Sequence, residues 1–378
     1  MMKPIQMVDL ATQYKRLKNE IDRSIQEVLE TNTYINGPAV KSFQHNLEQY
    51  LGVRNVIPCA NGTDALQIAL MALGLKPGDE VIVPAFTYVA TAEVAALLGL
   101  QIVMTDVDPD TFNISAKDIE KAITPKTKAI VPVHLFGQSC DMEAIMSLAS
   151  KYNLFVIEDN AQAIGADYLF SDKSSKKTGT IGHIGCTSFY PSKNLGAYGD
   201  GGAIFCNDDI LAEKLRMIAN HGQKRRYYHD LVGVNSRLDS IQAALLDVKL
   251  KHLDDFNRER QQAASFYDEK LKYIADLQIP KRLSHSTHVF HQYTLKVPAE
   301  KRDQLQDFLS SKNIPTMIYY PLPLYSQDAF YGNSRKAQRD LPVTEELCRT
   351  VISLPMHSEM EEEQLSYICR TIESFFNL

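Results

Sequence analysis

Glu80-Val81-Ile82-Val83-Pro84 is a short apolar run closed by proline. Residues 87–98 follow with helical character and stop at Gly99, and Gln101-Ile102-Val103-Met104-Thr105-Asp106 is apolar again. Strands that are apolar along their whole length have both faces covered, and helices of about ten residues between them indicate a parallel sheet with helices on both sides. The alternation extends outward. Upstream, residues 14–51 read as helix, with Leu17, Ile21, Ile25, Val28 and Leu29 at helical spacing and a break at Gly37-Pro38. Asn55–Cys59 reads as a strand, and residues 63–73 as a helix that ends at Gly74. Downstream, residues 115–122 are helical, 129–135 a strand, 142–152 a helix and 154–158 a strand. The fold class is α/β.

The rhythm changes after about residue 180. Residues 185–190 and 202–207 look like strands joined by a Gly-rich loop, and 238–271 is a long helical region, a helix or a helix pair, with apolar residues at Ile241, Leu245, Val248, Leu253 and Phe256. Beyond it come a strand (291–297), a helix (303–311), a strand (315–320) and a terminal helix (361–376). This reads as a large α/β domain over residues 1–250 and a smaller α+β domain over 251–378, without internal repeats.

The chain has 378 residues, 44% hydrophobic and 23% charged, which suits a globular protein and excludes disorder as its theme. The net charge of −6, with acids and bases interspersed, argues against a nucleic-acid or membrane-surface partner. No run approaches the roughly 18 apolar residues of a membrane span, and the first residues lack a signal peptide's apolar core. The expected location is therefore cytoplasmic. The six cysteines are scattered and no histidine pair has ligand spacing, so neither disulfides nor a metal are expected.

Three constellations can carry chemistry. In Cys59-Ala60-Asn61-Gly62-Thr63-Asp64-Ala65-Leu66 a strand turns straight into a helix. Its N-terminus can cradle a phosphate, with Gly62 allowing close approach and Thr63 adding a hydroxyl. The same residues also suit a plain capped helix, with Asn61 or Thr63 as N-cap. In Ile157-Glu158-Asp159-Asn160-Ala161-Gln162, Asp159 ends an apolar strand, where open α/β sheets bind ligands. A carboxylate there can hold a cation or a protonated ring nitrogen, or can simply make a turn. In Thr187 to Gly202, Lys193 lies in a loop dense in Gly, Ser and Tyr. A partly desolvated lysine can attack a carbonyl and form a Schiff base, whereas a surface lysine would do nothing. Ser174-Ser175-Lys176-Lys177 and Lys177-Thr178-Gly179 mimic motifs of penicillin-recognising enzymes, but there those motifs lie far apart and here they overlap.

A phosphate cradle, an acid for a pyridinium nitrogen and a Schiff-base lysine are the parts pyridoxal 5′-phosphate requires. With these three sites in this order, the chain resembles the DegT/StrS-type nucleotide-sugar aminotransferases over nearly its whole length. The likeness includes Tyr34-Ile35-Asn36-Gly37-Pro38, Pro84-Ala85-Phe86-Thr87-Tyr88, Glu158-Asp159-Asn160-Ala161-Gln162, Ser192-Lys193, Gly199-Asp200-Gly201-Gly202 and Gly233-Val234-Asn235-Ser236-Arg237-Leu238. It implies fold type I of the pyridoxal-phosphate transferases, aspartate aminotransferase-like, with a mostly parallel sheet of seven-stranded type. It also implies roles. Lys193 would bind the cofactor and move the substrate proton, and Asp159 would keep the pyridine nitrogen protonated. Gln162 would bond the ring hydroxyl and Tyr88 would stack on the ring, although Tyr88 could equally be core packing. Gly62, Thr63 and Ser188 would hold the phosphate, and Asn235 would reach it from the second subunit of a homodimer with shared sites.

The segments His221-Gly222-Gln223, Arg225-Arg226-Tyr227 and Val232 to Asp239 resemble the family branch that aminates a UDP-linked 2-acetamido-3-oxo uronic acid for surface polysaccharides. That likeness implies substrate contacts from Arg237, Tyr319 and Tyr320, with glutamate as amino donor. Tyr319 is a departure, because Tyr319-Tyr320-Pro321 stands where that branch has His-Tyr-Pro. Alternatives are an aminotransferase acting on a dTDP-3-keto-6-deoxyhexose, a sugar dehydratase or a regulatory protein. Dehydratases of this type resemble the family with histidine in place of the lysine, so Lys193 argues against one. No basic recognition helix supports direct DNA contact.

Overall fold

The computed structural model describes residues 2–376, with residues 331, 333 and 337–339 excepted. Asp9 accepts the Thr12 N–H at 2.9 Å and starts α1 (Leu10–Thr31), which ends at Asn32 in the left-handed conformation. Pro38 opens α2 (Pro38–Leu51), a position where its missing N–H costs nothing. A Cβ on the preceding Gly37 would lie 2.4 Å from the Thr33 carbonyl oxygen, so the turn between the helices needs glycine.

The α/β alternation then runs β1 (Asn55–Cys59), α3 (Gly62–Ala72), β2 (Glu80–Pro84), α4 (Ala90–Leu97), β3 (Gln101–Thr105), α5 (Ala116–Ala122), β4 (Thr127–Ile130), α6 (Met142–Tyr152) and β5 (Phe155–Asp159). A small hairpin, β6 (Asp167–Leu169) with β7 (Ser175–Lys177), precedes β8 (Ile184–Ser188), β9 (Gly202–Cys206) and α7 (Asp209–Ala219). A second hairpin, β10 (Gln223–Arg225) with β11 (Tyr228–His229), leads to α8 (Ser240–Leu250) and α9 (Leu253–Leu271). The C-terminal part holds β12 (Tyr293–Lys296), α10 (Ala299–Ser311), β13 (Ser334–Lys336), α11 (Pro342–Thr350), β14 (Val351–Leu354) and α12 (Glu362–Phe376).

The main sheet has the order β1-β9-β8-β5-β4-β2-β3-β13. From β8 to β13 neighbouring strands are parallel, while β9 runs antiparallel to both of its neighbours. Seven of these strands are those expected. The three-residue β13 extends the edge, where the Arg335 guanidinium holds Glu80 at 3.0 and 3.2 Å. Val81, Ile82 and Val83 are fully buried, which confirms that helices cover both faces. One cluster around Leu66, Val83, Ile102 and Ile204 packs beneath α3, α4 and α7; another, around Ile82, Ile130, Ile145 and Val156, packs beneath α5 and α6. Truncating such a side chain to alanine costs about 2–5 kcal/mol. The smaller C-terminal core gathers Tyr267, Tyr293, Leu305, Ile352 and Ile368 around the antiparallel β12–β14 pair. Ile5 packs on this core and the Met356 N–H donates to the Met7 carbonyl, so the N-terminal residues lie on the C-terminal part.

Two expected strands differ. The strand expected over 129–135 ends at Ile130, because Pro132 has no N–H to donate and Phe136 takes a positive φ of 58° in a tight turn. The expected strand 315–320 is a loop with one isolated bridge to β14, between Met317 and Ser353; Pro315 and Pro321, which have no N–H to donate, bracket it. The helical region 238–271 is two helices, separated at Lys251 and His252. Helix α11 and strand β14 were not foreseen; Asp106 caps α11 by accepting the N–H groups of Val343 and Thr344 at 3.0 and 2.7 Å.

Candidate active site

The parallel strands β2, β4 and β5 deliver their carboxyl ends to one edge of the sheet, the place where open α/β sheets bind ligands. Asp159 closes β5 there and is 6% exposed. Thr91 Oγ1, on α4, donates to Asp159 Oδ2 at 2.8 Å, and the Ala161 N–H donates to Oδ1 at 3.2 Å. Burial pushes the Asp159 carboxyl above the usual range, opposed in part by these two donors and by the charge of Lys193. It is a carboxylate that gains by meeting a cation.

Lys193 sits in the loop between β8 and β9, with its N–H on the Tyr190 carbonyl at 2.8 Å. Burial pushes its amine down to about 8, and the pull of Asp159 offsets this only partly. An amine of that basicity keeps a neutral fraction of about a fifth near physiological pH, far more than an ordinary lysine, and that fraction is a competent nucleophile.

Gln162 and Tyr320 form the next layer. Gln162 Oε1 accepts the Phe136 N–H at 2.7 Å, and its Nε2 donates to the Tyr320 hydroxyl at 3.2 Å. Tyr88 follows β2 with its ring 6.3 Å from that of Tyr320. At 57% exposure, Tyr88 is not core packing. Tyr319 is partly buried, near Tyr190 and Gln292, and burial raises its hydroxyl pKa.

The turn into α3 resolves between the two readings of residues 61–64. Asn61 is the cap, accepting the Asp64 N–H at 2.8 Å. Thr63 Oγ1 has no partner among the described residues, and the helix gives the Gly62 and Thr63 N–H groups no internal acceptor. A Cβ on Gly62 would lie 2.7 Å from Ser188 Cβ, so glycine is what lets α3 and the end of β8 meet. Gly202 works likewise, since its Cβ would lie 2.4 Å from the Asn61 backbone. The cradle, the free hydroxyl, the buried acid and the weakly basic lysine together fit pyridoxal phosphate.

Asn235 and Arg237 stand apart. Between them Ser236 is buried, and its Oγ accepts the Ala60 N–H at 3.0 Å, which ties this segment to the phosphate-side turn. Asn235 is exposed and Arg237 partly so. Neither side chain makes a hydrogen bond or ion pair among the described residues. The structure thus brings Gly62, Thr63, Tyr88, Asp159, Gln162, Ser188, Lys193 and Tyr320 to one end of the sheet, and leaves these two side chains without partners of their own.

Two functional contacts escaped sequence reasoning. Thr91 was legible only as a hydroxyl in the first turn of a mostly apolar helix. Glu158 was legible as a charge inside an apolar strand: fully buried, it accepts the N–H groups of Gly179, Ile181 and Gly182 at 2.8, 2.7 and 2.5 Å and lies 2.8 Å from His134 Nε2. The Cys140 N–H donates to His134 Nδ1, which places the imidazole proton on Nε2. Burial pushes the Glu158 carboxyl up, but the His134 bond and the backbone donors outweigh it and hold it below the usual range. The His134 N–H also donates to the Asp159 carbonyl, so this network fixes the strand end that carries the acid.

Comparison with known proteins agrees with this geometry. The model of the DegT/DnrJ/EryC1/StrS aminotransferase family matches residues 15–373. A "pleiotropic regulatory protein" of Geobacillus stearothermophilus is 48% identical, covering 98% of both chains. The UDP-2-acetamido-2-deoxy-3-oxo-D-glucuronate aminotransferase of Pseudomonas aeruginosa is 46% identical over 97% of this chain and 99% of its own. The UDP-N-acetyl-3-dehydro-alpha-D-glucosamine 3-aminotransferase of Acidithiobacillus ferrooxidans is 44% identical over 97% of each. The solved structure of NtdA from Bacillus subtilis, with bound cofactor PMP, superposes with a TM-score of 0.90 at 31% identity, over 100% of this chain and 86% of that one. With a matching family model along almost its whole length and a lysine–aspartate site at the sheet edge, the chain belongs to the DegT/DnrJ/EryC1/StrS aminotransferase family.

Proposed function

We propose that this chain is a nucleotide-sugar aminotransferase that moves an amino group from L-glutamate to the C3 keto group of a UDP-linked 2-acetamido-3-oxo uronic acid, as a homodimer with shared sites. The observation that carries the reading is the pairing of a lysine amine brought down to about 8 with the buried acid Asp159. Bound pyridoxal phosphate supplies the electron sink and carries the amino group between donor and acceptor.

The chain's residues do the rest. Lys193 Nζ would hold the cofactor and, when free, would move a proton to and from the reacting carbon. Asp159, held by Thr91, would keep the proton on the ring nitrogen. The first turn of α3, with Gly62, Thr63 and Ser188, binds phosphate through backbone N–H and hydroxyl groups. Gln162 would donate toward the ring hydroxyl and Tyr88 would cover the ring face. Asn235 and Arg237, whose side chains have no hydrogen-bond or ion-pair partner among the described residues, serve the site of the neighbouring subunit, where the Arg237 guanidinium pairs with the sugar's C6 carboxylate.

The likeness to the Pseudomonas aeruginosa enzyme supports the uronic acid. Tyr319 favours a second reading, because it departs from that branch's His-Tyr-Pro: a neutral 3-keto sugar on UDP or dTDP. A panel of keto nucleotide sugars, each incubated with glutamate and the purified protein and read by mass spectrometry, separates the readings. Fastest turnover is expected on the uronic acid; fastest turnover on a neutral sugar overturns that assignment, and no amination of any of them overturns the activity.

A further inference from the structure

Lys249 on α8 is buried to 1% exposure and has no part in the chemistry above. Its Nζ donates to the Gly196 carbonyl and lies 5.3 Å from the centre of the Tyr198 ring. Gly196 belongs to the loop that carries Lys193. That loop is closed by the Phe189 N–H on Gly201 O at 2.7 Å and the Ala197 N–H on Phe189 O at 2.7 Å. At Gly196 it folds back so tightly that a Cβ would lie 2.2 Å from Pro191 O. Among the described residues no backbone N–H takes the Gly196 carbonyl, so Lys249 supplies its donor.

We propose that Lys249 is a positioning residue for Lys193, locking the back of the lysine loop onto α8 through the Gly196 carbonyl. The rest of the grip comes from neighbouring amides: Gln242 Oε1 accepts the Tyr198 N–H at 2.9 Å, and Asn194 Nδ2 donates to Asn257 Oδ1 at 2.7 Å. A buried amine is an expensive way to fill this space. Burial and the nearby Arg260 charge push it down to about 7, and a methionine of similar length would pack without that penalty. What the amine adds is a directed hydrogen bond three residues from Lys193. It acts through the backbone and not through its charge, since burial and Asp159 alone set the basicity of Lys193.

The test is Lys249→Met in the full chain, read by hydrogen–deuterium exchange and kinetics. One lost hydrogen bond allows about tenfold more local opening, so the Lys193 and Ala197 amides are expected to exchange about tenfold faster while α3 and α6 keep parental rates. The kinetic arm rests on the proposed aminotransferase activity: kcat is expected to fall about tenfold with KM within about twofold. The exchange arm needs no substrate, so its failure is distinguishable from failure of the functional reading. Parental exchange in the loop, or faster exchange throughout the protein, overturns the proposal. Lys249→Leu, which also lacks a donor, repeats the measurement if the methionine variant does not fold.

Discussion

Replacing Gly62 by alanine probes the phosphate cradle at its tightest point. The new Cβ would lie 2.7 Å from Ser188 Cβ and 3.2 Å from Ser188 Cα. Carbon atoms rest about 3.5–4.0 Å apart, so α3 and the end of β8 must separate by about 1 Å. Gly62 does not have a positive φ, so the effect is steric and not a backbone preference. Overpacking of this kind costs about 1–3 kcal/mol, visible as a melting temperature lower by a few degrees in cofactor-free protein. The same separation lengthens the contacts of both walls to a phosphate. Losing one charged hydrogen bond, about 1.5–3 kcal/mol, weakens binding roughly tenfold to a hundredfold. Equilibrium dialysis with pyridoxal phosphate measures the second effect and thermal melting the first. Adding Ser188→Gly removes the obstructing Cβ, so the double variant should recover most of the lost melting temperature even though a phosphate hydroxyl is gone. Parental melting and affinity for Gly62→Ala, or no thermal recovery in the double variant, would refute the steric account.

Because the Lys193 amine sits at about 8, its reaction with pyridoxal phosphate should speed up as pH rises through 8 and level off above; borohydride should then fix the pyridoxyl group on Lys193, and a label on another lysine sinks the assignment. Arg237→Lys should lose roughly tenfold or more in rate on the uronic acid, because lysine cannot make two parallel bonds to a carboxylate, yet change little on a neutral analogue; equal losses on both would make Arg237 structural. Co-expressed Lys193→Ala and Arg237→Ala chains should regain activity, since each mixed dimer rebuilds one intact site; verified mixed dimers without activity would mean that each site is built within one chain.

The main sheet was legible because its cause is local. Val81-Ile82-Val83 between turn residues can only be a strand buried on both faces, and its neighbours repeat the pattern with glycine stops. Asp159, Lys193 and the Gly62 turn were legible because each breaks an apolar or ordinary pattern with a chemical group at an element's end. Prolines misled in two places. The chemistry of Pro132 and Pro315 is visible in the sequence, yet whether a proline ends a strand or merely edges it depends on which partner strand lies beside it.

Tertiary structure alone decided what these residues meet. Thr91 lies on a helix 68 positions from Asp159 in sequence, and only the parallel packing of β2, β4 and β5 sets its hydroxyl 2.8 Å from that carboxylate. Glu158 and Asp159 are adjacent acids whose basicities move in opposite directions. Side chains alternate along a strand, so one reaches His134 and a ring of backbone N–H groups while the other faces the ligand edge. The exposure of Tyr88 and the burial of Lys249 beside Gly196 are likewise invisible in one dimension. Periodicity reports which face of an element is apolar. Desolvation and hydrogen-bond partners, which set the chemistry, depend on neighbours brought together from across the whole chain.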